Sequence, residues 1–149
     1  MRAYLHDRPL WLVAIADLML ATLGPVLAFW LGGYLLYQTK GFSATEGDFY
    51  ATTAIAALLI GGAVGLIVHF FRARLFAPAG SPSAPKSAAL FAVEVLFCTA
   101  GVQMTGAGAY TLNPLFCLSG PLIWILGAVT PIMTLGGFSR LQAILRPSA

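Results

Sequence analysis

The sequence has very few charged residues for its length. Asp, Glu, Lys and Arg make up 9% of the 149 residues, whereas hydrophobic residues make up 59% and the mean hydropathy is +0.87. A water-soluble globule of this length needs a larger polar surface than these residues can supply. The composition therefore excludes an ordinary soluble domain and predicts a protein of the lipid bilayer.

Recognisable catalytic and binding motifs are also lacking. The chain holds no phosphate-binding loop, dinucleotide fingerprint, nucleophile motif or metal-ligand cluster. Its net charge of +3 is distributed between apolar runs and forms no basic patch with interleaved aromatic residues, so nucleic acid is not an expected partner. We predict no catalytic residue, no metal site and no cofactor that a motif would identify.

The chain has two cysteines and two histidines. Cys98 and Cys117 fall in separate apolar segments; if those segments form a hairpin, the two residues lie several turns apart in depth, too far for a disulfide. His6 lies in the terminal segment and His69 at a helix end. No pair of histidines is therefore expected to face across a bundle and hold a haem.

Four apolar segments follow one another along the chain, and each is long enough to cross a bilayer as a helix. The predicted helices cover residues 10–38, 50–74, 88–109 and 114–145, with a polar loop at 41–49 and a flexible connection at 77–87. The expected fold is an all-α polytopic integral membrane protein. It forms a single membrane domain over residues 1–149, built from four transmembrane helices in two hairpins.

Local signals refine the helix limits. Asp48 is the expected N-cap of the second helix, and Asn113 the expected N-cap of the fourth, directly before Pro114. Because proline lacks an amide hydrogen, we expect bends at the prolines inside helices. These are Pro25, Pro121 and Pro131.

The basic residues predict an orientation. With four crossings and the N-terminus inside, seven of the eight Lys and Arg residues lie on the inner side and only Lys40 lies outside. Both termini and the 77–87 connection are then cytoplasmic, in what we expect to be a bacterial inner membrane.

Small residues line one side of each of the first three predicted helices at helical spacing. The stripe on the first helix begins at an acid and consists of Asp17, Ala21, Gly24, Ala28 and Gly32. The stripe on the third consists of Glu94, Cys98, Gly101, Thr105 and Gly108, and the second helix carries Ala57, Gly61 and Gly65. Because small residues let helix backbones approach closely in lipid, we expect these faces to pack against protein.

The two acids occupy corresponding places in the two halves of the chain. Each is followed five residues later by a threonine, Thr22 or Thr99, and seven residues later by a glycine. This pattern suggests a duplicated hairpin related by an axis along the membrane normal. Counting from the nearest basic residue places both acids roughly 12–14 Å inside the inner surface, so we expect a polar layer at one depth.

This polar layer has two interpretations. An ionised carboxylate there costs roughly 2.5–3.5 kcal/mol even on the lenient insertion scale, so each acid must be protonated, paired or hydrated. In one interpretation each acid hydrogen-bonds to a neighbouring helix or subunit; in the other the acids exchange protons or bind a cation. The polar groups considered to belong to the layer are Asp17, Glu94, His69, Thr22, Thr99 and Thr130.

Two functions follow from these interpretations. The favoured one is an accessory subunit of a larger inner-membrane protein complex, whose small-residue faces dock the helices of other subunits. The alternative is a small homo-oligomeric transporter or channel, coupled to protons or cations through Asp17 and Glu94. The lipid bilayer is an expected partner in both.

Overall fold

The computed structural model describes the backbone of residues 10–75 and 84–134 and the side chains of residues 18–70 and 84–130. These residues form four α-helices and one short 3₁₀ turn, so the prediction of an all-α fold is confirmed. The helices are α1 (Leu10–Lys40), α2 (Glu46–Leu75), α3 (Ala84–Thr111) and α4 (Pro114–Thr134), and the 3₁₀ turn is Gly41–Ser43. The predicted last turns of the fourth helix, 135–145, lie outside the described residues.

The first three helices are long and apolar enough to cross a membrane, judged by length and composition. Their apolar spans are Leu18–Ser43, Glu46–Phe70 and Ala84–Thr111, and the described part of α4 contributes a shorter apolar helix, Pro114–Thr130. The chain is therefore compatible with an integral membrane protein. The helices run without a break through all three internal prolines, Pro25 in α1 and Pro121 and Pro131 in α4.

Two helix starts differ from the sequence prediction. α2 begins four residues early, at Glu46, because Thr45 and not Asp48 is its N-cap. The Thr45 hydroxyl accepts a hydrogen bond from the Asp48 amide at 3.2 Å, and the Asp48 carboxylate accepts one from the Thr45 amide at 3.0 Å. This reciprocal pair is a capping box, which the Thr-x-x-Asp spacing encodes.

α3 likewise begins at Ala84, so residues 84–87 of the predicted flexible connection are helical. Pro85 lies in this first turn, where its missing amide hydrogen has no helical partner to lose. The rest of the predicted connection, 77–83, lies outside the described residues.

Each helical hairpin reverses direction at a residue with left-handed backbone. Gly41 follows α1 with a φ of 55°, and Leu112 follows α3 with a φ of 54°. Glycine adopts this conformation freely, whereas leucine adopts it at a steric cost. After α3 the Asn113 amide donates to the Gly108 carbonyl at 2.9 Å, which is the hydrogen bond of a Schellman helix end. We call the end of the bundle that carries Gly41 and Leu112 the turn end.

α3 lies at the centre of the bundle and contacts the other three helices. Glycines set its distance from α2: a Cβ added to Gly61 would lie 2.3 Å from the carbonyl oxygen of Phe91, and one on Gly65 would lie 2.5 Å from that of Ser87. Increasing residue numbers on α2 contact decreasing residue numbers on α3, so the two helices are antiparallel. Their backbones touch with no side chain between them.

The contact between α3 and α4 is built in the same way. A Cβ on Gly101 would lie 2.6 Å from the Gly120 carbonyl oxygen, and one on Gly108 would lie 2.6 Å from the Cys117 amide nitrogen. Farther from the turn end, a Cβ on Gly127 would lie 2.9 Å from the Cys98 sulfur. The glycines recur every seven residues on both helices, which keeps the contact continuous along the helix axes.

α1 packs against both α2 and α3 through its small residues. Ala21, Gly24, Ala28 and Gly32 are all buried. A Cβ on Gly32 would lie 2.7 Å from the Thr53 Cα of α2, and one on Gly24 would lie 3.0 Å from a methyl carbon of Val95 on α3. The small face of α1 is therefore occupied by helices of the same chain.

Neighbouring glycines on α2 provide a test of this packing. We expect Gly61→Ala to lower the free energy of unfolding by about 1–3 kcal/mol, because the new methyl group collides with the α3 backbone. Gly62→Ala is the control: no atom lies within 4 Å of its added Cβ, so helix propensity alone should leave stability unchanged or raise it by up to about 1 kcal/mol. Stability is measured from the loss of helical circular dichroism as SDS is added to protein in mild detergent. Equal effects of the two substitutions would contradict the packing.

Candidate functional site

Glu94 lies inside the helix bundle. Its side chain has 0% exposure, and it belongs to the face of α3 that continues through Cys98 and Gly101 against α4. The acid predicted from sequence is therefore enclosed by protein and does not face lipid. A buried carboxyl group in a helix that is long and apolar enough to span a membrane is a candidate functional group, since burial of a carboxyl group is costly.

Two buried polar side chains, Thr53 and Thr99, form hydrogen bonds within the described part of the chain. The Thr99 hydroxyl donates to the Val95 carbonyl at 2.7 Å. The Gln103 amide of α3 donates to the Thr53 hydroxyl of α2, which in turn donates to the Phe49 carbonyl at 2.9 Å. The interior thus contains a polar link between α2 and α3 that the sequence prediction did not include.

Three residues assigned to the polar layer are not buried in this interior: Thr22, Thr130 and His69. Thr22 is exposed and donates to the Leu18 carbonyl at 2.9 Å, so it lies outside the bundle interior. It directly follows the buried Ala21, and a rotation of about 100° per residue carries it off the small face. Thr130 is half-buried and donates to the Leu126 carbonyl at 2.6 Å.

His69 is half-buried towards the end of α2, and its ring meets the Phe70 ring edge-on with centroids 6.0 Å apart. The side chain of Asp17 lies outside the described residues. Of the six predicted members of the polar layer, Glu94 and Thr99 are therefore the two that the structure places in the bundle interior.

The expected common depth of the two acids is contradicted by the helix register. α1 and α3 run parallel, since each is antiparallel to α2, and Gly24 lies against Val95. Glu94 is thus nearly level with Gly24, while position 17 lies seven residues, or about 10 Å, before that level. Counting from basic residues failed because Lys86 of α3 lies level with about residue 15 of α1, well inside that helix and not at its start. The same offset contradicts a repeat that makes Gly24 and Gly101 equivalent in depth.

Trp124 of α4 makes a contact that sequence reasoning missed. Its indole nitrogen donates to the carbonyl oxygen of Ala21 on α1 at 3.0 Å. The usual helical donor to that oxygen is the amide of residue 25, and residue 25 is proline. The indole therefore replaces the hydrogen bond that Pro25 removes and links the two hairpins. Two signals were present in the sequence: a tryptophan within an apolar helix needs an acceptor, and an internal proline creates one.

Metal and redox chemistry find no further support among the described residues. In residues 18–70 and 84–130 no three His, Cys, Asp or Glu side chains are grouped so that they could hold a metal ion. Cys98 and Cys117 are not joined by a disulfide.

No protein-family model, curated protein or solved structure matches this chain. Its function has to be inferred from its own geometry.

The Trp124 contact can be tested with a double-mutant cycle. We expect Trp124→Phe to destabilise the protein by about 0.5–2 kcal/mol, because the Ala21 carbonyl loses its donor while the aromatic packing is largely kept. In a Pro25→Ala background the restored amide can bond to that carbonyl, so the same substitution should cost less. The measurement is the free energy of unfolding of the four proteins in mixed micelles. An identical cost in both backgrounds would show that the indole does not substitute for the missing amide.

Proposed function

We propose that the protein is a small accessory subunit that binds the helices of other subunits in a membrane protein complex. The close packing of its interior supports a structural role. Seven glycines lie where an added Cβ would come within 3 Å of another helix: Gly32, Gly61, Gly65, Gly101, Gly108, Gly120 and Gly127. Helices that touch at so many points leave little room for an aqueous path between them, which favours a scaffold over a channel.

The surface that would bind a partner differs from the one expected from sequence. The small faces of α1, α2 and α3 were expected to dock other subunits, but their buried residues pack against helices of the same chain. A partner therefore has to bind the outward faces of the helices. Those faces are mostly aliphatic and compatible with lipid, so a docking site needs a feature that lipid does not explain.

The outer face of α1 has such a feature, and this observation carries the proposal. Trp30 is 71% exposed, and its ring stacks on that of Tyr34 with centroids 6.3 Å apart. Its indole nitrogen makes no hydrogen bond with another described residue. Gly33 lies beside the pair and has no atom within 4 Å of an added Cβ, so another helix can approach closely there.

Depth distinguishes this aromatic pair from an ordinary interfacial belt. Trp30 lies ten residues, or about 15 Å, before Lys40 at the turn end. This places the indole within the apolar part of the helix, where an N–H group without an acceptor is costly. A backbone carbonyl or polar side chain of a partner helix would supply the acceptor, and tryptophan and tyrosine commonly dominate the binding energy of interfaces.

The distribution of charge supports an orientation with both termini inside. Lys40 lies at the turn end, and Lys86 lies in the first turn of α3 at the opposite end. Arg72 and Arg74 lie in the last turns of α2 at that same opposite end, so the positive-inside rule makes it cytoplasmic. A bacterial inner membrane is the membrane we propose.

Co-purification tests the accessory-subunit proposal. The full chain, tagged at one terminus and expressed at its native level, is purified in mild detergent and its partners are identified by mass spectrometry. We expect membrane proteins in stoichiometric amounts, and we expect Trp30→Ala to lose them because it removes the aromatic anchor. Leu122→Ala is the control, since Leu122 is 61% exposed on α4, away from the proposed interface. Recovery of the chain alone or as a homo-oligomer would contradict the proposal.

A small proton- or cation-coupled transporter is the second candidate, favoured by the complete burial of Glu94. In proteoliposomes with an imposed pH gradient, such a protein should move protons or cations, and Glu94→Gln should reduce that flux to the background of empty vesicles. Glu46→Gln is the control, because Glu46 is an exposed acid at the turn end. Flux that survives Glu94→Gln would exclude Glu94 from transport.

A further inference from the structure

We propose that the turn between α3 and α4 is a lipid anchor, inserted into the interface of the bilayer at the turn end of the bundle. The anchor comprises residues 110–115, and its partner is the boundary between lipid headgroups and acyl chains. This proposal is independent of the accessory-subunit function, since it concerns a different helix pair and a different partner.

The anchor exposes large apolar side chains and carries no charge. Tyr110 is 91% exposed, Leu112 is 87% exposed and Leu115 is 73% exposed. No Asp, Glu, Lys or Arg occurs between Glu94 and Arg140. Nothing in this hairpin therefore favours full hydration of its turn, whereas a tyrosine and two leucines suit the interfacial region of a membrane.

The other hairpin provides a comparison within the same molecule. Its turn contains an ion pair between Lys40 and Asp48 at 2.5 Å, and the exposed acid Glu46 lies between these two residues in the chain. Both turns lie at the same end of the bundle: Gln103 of α3 bonds to Thr53, which lies against Gly32 of α1. Counted from that common level, Lys40 lies eight residues after Gly32, and Leu112 lies nine residues after Gln103. Both turns expose a large apolar side chain, Phe42 in the first and Leu112 in the second, so they differ in charge and not in height.

Several polar groups of the anchor form hydrogen bonds within the chain, which lowers the cost of moving the turn out of water. The Thr111 hydroxyl donates to the Ala107 carbonyl at 2.7 Å. Asn113 donates its amide to the Gly108 carbonyl at 2.9 Å, and its side-chain oxygen accepts the Leu115 amide at 3.0 Å. The turn can thus leave water without losing these hydrogen bonds.

Leu112 itself is the least expected residue in the turn. It occupies the left-handed position of a Schellman helix end, where glycine is usual and where the first hairpin has Gly41. In water, an exposed leucine in a strained conformation has no advantage over glycine. At a lipid interface the leucine side chain leaves water for an apolar environment, and glycine has no side chain to gain from this. This gain offsets the backbone strain at Leu112, although its side chain contacts little of its own chain.

The length of α3 agrees with this placement. Leu112 is eighteen residues, or about 27 Å, from Glu94, which is close to the thickness of about 30 Å of a bilayer hydrocarbon core. With the turn at one boundary of the core, Glu94 lies near the other. Lys86, two turns earlier, then reaches the opposite headgroups.

Spin-label accessibility tests the proposal. In the full chain with Cys98→Ala and Cys117→Ala, a nitroxide is attached to Leu112→Cys or, as the control in the charged turn, to Ser43→Cys. The protein is reconstituted into vesicles of phosphatidylcholine and phosphatidylglycerol. We expect the label at 112 to collide more often with oxygen, which concentrates in lipid, than with a water-soluble nickel chelate, and the label at 43 to show the reverse.

Two results would overturn the proposal. Nickel-dominated access at 112, as at 43, would place the turn in water. An immobilised label that neither reagent reaches would show that protein, such as a second copy of the chain, covers the turn.

A second variant separates the role of Leu112 from the effect of labelling it. Leu112→Gly suits the left-handed conformation, so the helix end should persist while the leucine side chain is removed. A nitroxide at Leu115→Cys should then show a severalfold rise in nickel access relative to the same label with Leu112 intact. Unchanged access at 115, with helical circular dichroism preserved, would show that Leu112 does not anchor the turn.

Discussion

The close approach of helix backbones around α3 is the constraint on which the rest of the structure depends. In lipid, helices gain little from burying apolar side chains against one another, because acyl chains are equally apolar. Contact then relies on packing, and packing is closest where glycine lets one backbone touch the next, as Gly61 does at Phe91 and Gly101 does at Gly120. A single methyl group at such a position has no space, so the positions of the four helices are set by where these glycines occur.

This packing also decides what the polar groups can do. Where helix backbones touch, interior polar groups have to find partners within the bundle, and the Gln103–Thr53 link and the Trp124–Ala21 bond do so. The second of these compensates for Pro25 inside α1, so a residue that weakens one helix becomes a point of attachment for another. Glu94 lies in the same interior and is shielded from lipid by the helices around it.

Because the small faces are used internally, the outward surface is left for interactions with the surroundings. Most of that surface is plain aliphatic side chains, and two features stand out from it: the Trp30–Tyr34 pair and the turn at Leu112. The first places an indole in an apolar region beside an uncovered glycine, and the second places a strained leucine at the tip of an uncharged hairpin. The internal packing leaves both features on the outer surface, and the two proposals about partners and lipid are built on them.

The sequence by itself determined the properties that depend on composition and on local spacing. These are the membrane class, the four helices, the capping of α4 by Asn113 and the stripes of small residues, because each depends on residues within a few turns of one another. Only the tertiary structure decided how the helices are offset along their axes. That offset separates position 17 from Glu94 in depth, turns Thr22 outward, and brings Trp124 to the one carbonyl that Pro25 leaves without its helical donor. It is fixed by contacts between residues far apart in the chain, such as Gly24 with Val95 (71 positions) and Ala21 with Trp124 (103 positions). No periodicity within a single helix carries that information.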